Sequence, residues 1–182
     1  MGDARFRRVA TGVPLPGLLH SMSASSLAAA LPVDGRQSPG ALAIARGATR
    51  LLHSLGFCVV KELPLASGRR ADLVALGGDG EVWIVEIKSS VADFRADRKW
   101  MDYRLHCDRL FFATTTEVPC DIFPPDTGLI VADAFGAQLV CDAPEHRLHA
   151  STRKSMMLLF ARAAALRLQS LVDPTGPYGD VG

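Results

Sequence analysis

Three charged residues close together in the chain have the types and spacing for chemistry. Asp72 falls in a strand-like segment, 70–76, and Glu86 and Lys88 fall in another, 81–88. Gly77-Gly78-Asp79-Gly80 forms a turn between them. Side chains alternate along a strand. Val82, Ile84, Glu86 and Lys88 therefore share one face, and Trp83, Val85 and Ile87 the other. Both faces carry apolar residues, so this reads as a central strand covered on both sides. A Glu and a Lys on such a strand conflict with burial, and conflicts of this kind mark functional sites. If the two strands pair, Asp72 and Glu86 lie across from each other. Two adjacent carboxylates repel and raise each other's pKa. A hard cation, Mg²⁺ or Mn²⁺, relieves that repulsion, with the main-chain carbonyl of Ile87 as a third ligand. Such a cation polarises a phosphoryl oxygen and acidifies a bound water, while Lys88 orients the water or stabilises charge on phosphorus. The plainer reading makes Glu86-Ile87-Lys88 a strand end, with Lys88 reaching solvent and Asp72 paired to Arg69 or Arg70.

Positioning these residues is the task of the surrounding elements. Ser38 and Pro39 suit the start of a helix over 41–55, with Ala41, Ile44, Ala48, Leu51 and Leu55 at helical spacing and Gly56 as its stop. A strand over 57–63 ends at Pro64, and with the two strands of the site it forms an antiparallel meander. A second helix is expected over 91–107. A buried strand, 109–114, then follows in crossover order, which implies parallel pairing. After a Pro-rich loop, segments 128–133 and 137–141 form a hairpin around Ala134-Phe135-Gly136. Ser151 caps a final helix over 152–171 with Met156, Leu159, Phe160 and Ala163 on its core face. The expected fold is α/β, a mixed sheet flanked by helices, with one domain over 39–172. Residues 1–38 read as a poorly ordered arm and 173–182 as a disordered tail.

Composition sets the outer limits. The chain has 182 residues, with 20 Lys and Arg against 19 Asp and Glu, so total charge points to no partner and only local clustering can. Cys58, Cys107, Cys120 and Cys141 form no C-x-x-C pair, which argues against a zinc knuckle; three of them read as buried thiols suited to a reducing cytoplasm. No run of 18 apolar residues occurs, so no membrane span is expected. Arg5, Arg7 and Arg8 precede a mildly apolar stretch, but Pro14, Pro16 and His20 interrupt it, which disfavours a secretory signal. Met22 is an alternative start. His53, His106 and His146 show no ligand spacing.

An Asp strand followed by Glu-Ile-Lys, inside the order αβββαβ, resembles the PD-(D/E)XK (restriction-endonuclease-like) nuclease superfamily. More narrowly, VEIKSS-x-x-DFRADRKW-x-DYR-x-x-CDRL-x-FA over 85–113, with GLIVADAFGAQL over 128–139, resembles the MmcB-like family of bacterial DNA repair proteins. The likeness covers about residues 41–171. It implies a restriction-endonuclease-like αβββαβ core with an added β-hairpin and C-terminal helix. It also implies metal held by Asp72, Glu86 and Ile87, catalysis by Asp72, Glu86 and Lys88, and Mg²⁺ or Mn²⁺ as cofactor. The partner would be DNA, contacted by Arg70, Arg95, Arg98, Lys99 and Tyr103, in a nucleoid-associated, cytoplasmic setting. Ala71 stands where members carry a proline, and the first helix lacks the acid many members place there; Glu62 is the nearest one. A DNA-binding accessory without cleavage is the alternative. Other repair proteins, or a second copy docked on Met156 to Phe160, are further candidate partners. No helix-turn-helix is present, so DNA would be recognised by structure, through its backbone.

Overall fold

The computed structural model describes residues 38–97 and 99–174. The readings of 1–37 as an arm and of 175–182 as a tail lie outside the described residues. So does Arg98.

A six-stranded sheet in the order β1-β2-β3-β4-β5-β6 forms the middle layer. Helix α1 (Pro39–Ser54) begins at Ser38, whose hydroxyl accepts from Ala41 N, and Gly56 leaves it with φ 86°. β1 (Cys58–Pro64), β2 (Arg70–Leu76) and β3 (Val82–Ile87) form the expected meander. β4 (Arg109–Thr114) and β5 (Gly128–Ala132) run parallel to β3, and β6 (Ala137–Cys141) turns back on β5. The expected α/β mixed sheet with flanking helices is thus what forms.

β3 is buried along its whole length, as a doubly covered strand must be. Trp83, Val85 and Ile87 pack under Ile44, Ala48 and Leu52 of α1. Val82 and Ile84 face Tyr103, Met156, Leu159 and Phe160 on the opposite layer. Gly47 of α1 sits on the β5–β6 turn so closely that a Cβ would stand 2.3 Å from the carbonyl oxygens of Asp133 and Gly136.

Three expectations need correction. The helix expected over 91–107 is broken: α2 is Val91–Ala96, and a separate 3₁₀ segment spans Trp100–His106. The break falls at Asp97, whose carboxylate turns inward to Lys88. The last helix, α3 (Ala150–Val172), starts ahead of Ser151, so Ser151 is not its cap. The chain entering α3 is fixed instead by Asp108, which accepts from Leu148 N. Only Cys107 is a buried thiol, and burial pushes it up to about 12. Cys58 and Cys141 lie exposed on the two edge strands and Cys120 in a loop. One window of α3 is apolar enough to cross a membrane by length and composition. It is docked on the sheet, however: Met156, Leu159, Phe160 and Ala163 are in the core, and Arg153 and Arg167 bond to groups of the sheet side.

Asp108 ties these layers together. Its carboxylate accepts from Val82 N (2.8 Å), Leu148 N (2.8 Å) and both terminal nitrogens of Arg153 (2.7 and 2.6 Å), while 1% of the residue is exposed. Burial opposes its charge, but the Arg153 and backbone hydrogen bonds win and hold its pKa below the usual range. Removing one partner of a buried pair strands the other. Asp108→Ala should therefore cost about 3–5 kcal/mol in urea unfolding. Asp126→Ala, which breaks the exposed Arg104–Asp126 pair, should cost about 1 kcal/mol or less. Equal losses would refute this ranking.

Candidate active site

The site exists because β2 parts from β3. Their ladder runs from Leu76↔Val82 to Leu73↔Val85 and stops. Asp72 and Glu86 are the next residues on each strand, and their side chains take over the hydrogen bonding. Ile87 N donates to Asp72 Oδ2 at 2.8 Å, and Asp72 N donates to Glu86 Oε1 at 3.3 Å. Each carboxylate thus spends one oxygen on the partner strand. Asp72 Oδ1 and Glu86 Oε2 remain for another ligand.

A bend in β1 and β2 causes the parting. Val60 and Leu63 both join the layer beneath α3, although three residues apart. On β2, Ala71 and Val74 join that layer while Leu73 and Ala75 join the α1 layer. Strict alternation is therefore broken in both strands, at Glu62 and at Asp72. Glu62 carries it in its backbone, with φ 48°. A non-glycine residue there costs about 1–3 kcal/mol and persists only where its surroundings hold it.

Lys88 extends β3 past the ladder, held by Lys88 N to Ala113 O (2.8 Å) and by Thr114 Oγ1 donating to its carbonyl (2.7 Å). It is 6% exposed, and its Nζ lies 2.6 Å from Asp97 Oδ2. The solvent-reaching alternative for Lys88 does not hold. Nor does Asp72 pair with a neighbouring arginine: Arg69 bonds Asp102 (2.9 Å) and Arg70 bonds Glu62 (2.6 Å). Asp97 also accepts from Lys99 N at 2.8 Å, which fixes the break after α2.

A cavity of ≈ 470 Å³ opens here, bordered by Arg70, Asp72, Glu86, Ile87, Lys88 and Tyr103 of the expected residues. Ser38, Ala41, Ser89, Asp93 and Asp97 complete it. Arg95 and Lys99 are exposed on the flanking segment and do not line it. Arg104 is committed to Asp126 and stands over the Trp100 ring at 5.8 Å. Trp100 itself packs on Phe112, as a core residue would. Asp93 and Asp97 were missed in the sequence. The serine-x-x-acid spacing Ser90-Val91-Ala92-Asp93 was a legible signal for the first: Ser90 caps Asp93 N, and Asp93 accepts from Ser89 N. For Asp97 there was none, because a regular helix keeps it outside.

The electrostatics are those of a site short of positive charge. Burial raises the pKa of Asp72. Burial, and then the charge of Asp72, raise Glu86 well above the carboxylate range. Burial opposes the charge on Lys88, but the Asp97 hydrogen bond and charge prevail and raise its pKa. Asp97 is lowered on balance: its burial is outweighed by Lys88. Tyr103, whose hydroxyl donates to Arg70 O at 3.1 Å, is raised by burial and by the two acids. Among the described residues no group of three His, Cys, Asp or Glu side chains is arranged to hold a metal. Two carboxylates do fit Mg²⁺, which keeps several waters and takes one or two protein carboxylates.

A family model described as "DNA repair protein MmcB-like" matches residues 29–175. The chain belongs to the MmcB-like family of DNA repair proteins. A solved structure of similar shape is that of the SPO1766 protein of unknown function from Silicibacter pomeroyi. It is 45% identical, with a TM-score of 0.73, over 78% of this chain and 96% of that one. A repair endonuclease from Pyrococcus abyssi matches at 16% identity and a TM-score of 0.32, over 48% of this chain and 41% of that one. No curated protein matches. The run 85–113 that suggested the MmcB-like family contains the end of β3, Lys88, the Asp97 break and Asp108.

The raised Glu86 has a measurable consequence. Below its raised pKa the folded protein holds a proton that the unfolded chain has released, so stability falls as pH climbs upward from the ordinary Glu range. In metal-free buffer at pH 7.5, Glu86→Gln should raise the melting temperature by about 2–4 °C. The gain should shrink toward pH 4, where both states of the wild type are protonated. A substitution that destabilises at pH 7.5 would contradict the assigned burial.

Proposed function

We propose that this MmcB-like protein hydrolyses DNA phosphodiester bonds with Mg²⁺ or Mn²⁺. The observation that carries the reading is a buried, mutually repelling carboxylate pair facing a lysine locked as a cation, all bordering one cavity. Asp72 Oδ1, Glu86 Oε2 and the Ile87 carbonyl would hold the cation, which supplies a polarised phosphoryl oxygen and an acidified water when bound. Lys88 stays protonated because Asp97 favours its charge. It therefore acts by stabilising negative charge on the phosphate rather than by accepting a proton. Arg70 and Tyr103 border the cavity on the β2 side and would meet the backbone. Arg95 and Lys99, exposed nearby, would add sequence-independent phosphate contacts. Recognition of DNA by structure and a nucleoid-associated place in the cytoplasm go with this reading.

That no three acids among the described residues are grouped to hold a metal favours a second reading, a DNA-binding accessory without cleavage. Incubation with nicked, forked and single-stranded DNA separates the two. Cleavage in Mg²⁺ or Mn²⁺ is expected, falling by about 10²-fold or more with Lys88→Ala, the scale of one lost electrostatic stabiliser. Glu86→Ala should abolish it. Calorimetric titration with Mn²⁺ should show a site that Asp72→Asn removes. A silent titration with no product at any metal concentration would leave only the accessory reading.

A further inference from the structure

Helix α3 is apolar on more sides than it buries. Met156, Leu159 and Phe160 face the core, whereas Met157, Leu158, Leu168 and Leu171 are exposed. A helix that is apolar all round normally has every face covered. The charges on α3 have one sign: it carries Arg153, Lys154, Arg162 and Arg167 and no Asp or Glu. Arg153 is spent on Asp108, and Arg167 on the carbonyls of Lys61 and Glu62. Lys154 and Arg162 are exposed, as is Arg147 just before the helix, and none of the three forms an ion pair with a described residue.

A groove of ≈ 600 Å³ opens along this outer side. Leu148, Met157, Leu158 and Ala161 supply its apolar lining, Arg147, Arg153 and Lys154 supply its charge, and no acid lines it. The acids nearby, Asp79 and Glu81, act on Arg153, and Glu81 is bonded to Arg109. Met157 reaches the β2–β3 turn, with its Sδ 3.6 Å from where a Cβ on Gly80 would stand. The groove therefore belongs to the Val82 end of β3, whereas the candidate active site belongs to the Ile87 end. Both can be occupied at once.

Charge and shape select the occupant. A second copy docked about a twofold axis would set α3 against α3 and bring like charges together. DNA offers phosphates to the cations but no large apolar group to Met157 and Leu158. A lipid surface takes a protruding apolar face, and this one is recessed. An acidic peptide with apolar side chains satisfies both the lining and the charge, and methionine adapts to apolar groups of varied shape. We infer that the groove docks a short acidic segment of another protein, in which a large apolar side chain packs on Met157 and Leu158 and flanking Asp or Glu side chains meet Arg147 and Lys154. This goes beyond the proposed hydrolysis and does not depend on it.

The test uses the full chain as bait for random octapeptides displayed on phage. Enriched sequences are then made as labelled peptides and titrated by fluorescence anisotropy. They should carry Asp or Glu beside Leu, Ile, Met or an aromatic residue, and bind with a Kd of about 1–100 µM that rises with salt. Leu158→Asp should weaken binding about 10-fold and Lys154→Glu about 5-fold. Replacing a peptide acid by lysine should restore binding to Lys154→Glu. Both substituted side chains are exposed, and melting temperatures near that of the wild type confirm that the variants fold. Enriched peptides without acids, binding indifferent to both variants, or no enrichment at all overturns the inference. So does another occupant on the same face, seen as co-sedimentation with phosphatidylserine vesicles or as a dimer by light scattering, either one lost in Leu158→Asp.

Discussion

Two carboxylates buried between separating strands set the terms for everything around them. Asp72 and Glu86 replace the missing rungs of the β2–β3 ladder with side-chain hydrogen bonds. That satisfies the backbone but leaves two acids in a poorly solvated place, where burial raises both and the charge of Asp72 raises Glu86 further. Everything nearby answers this problem. Lys88 brings a positive charge on the same strand face. Asp97 then has to hold that charge, and a continuous helix cannot deliver it, so the helix breaks after Ala96.

Much of this fold was legible. The element order, the meander, the crossover and the terminal hairpin all follow from alternation, turn residues and short connections. The conflict between Glu86 and a doubly buried strand singled out the candidate site, and β3 is indeed buried along its length. The family followed from the run 85–113, which contains the end of β3, Lys88 and Asp97.

What was illegible depended on tertiary contacts. Residues 91–107 have helical spacing, and the break in it carries two bonds of Asp97, to Lys88 Nζ and to Lys99 N. Asp108 sits between Cys107 and Arg109 in what reads as the start of a strand. Nothing local announces that Arg153, 45 positions later, will meet it. Ser151 looked like a cap because Ser precedes an apolar run, but the chain there is fixed by Leu148 N on Asp108. Cys58 and Cys141 looked buried by composition. Their strands turned out to be the two edges of the sheet.

The charge balance bears on which function suits the cavity. Asp72, Glu86, Asp93 and Asp97 border it against Arg70 and Lys88, four acids to two bases. Lys88 and Asp97 cancel, and Arg70 already faces Glu62. The remainder repels a phosphate. A surface built only to bind DNA has no use for buried acids that weaken both the fold and the attraction. A surface that takes a divalent cation first does, because the cation turns the same repulsion into affinity for a phosphodiester. The acids therefore make better physical sense as a site for phosphate chemistry than as part of a passive DNA clamp.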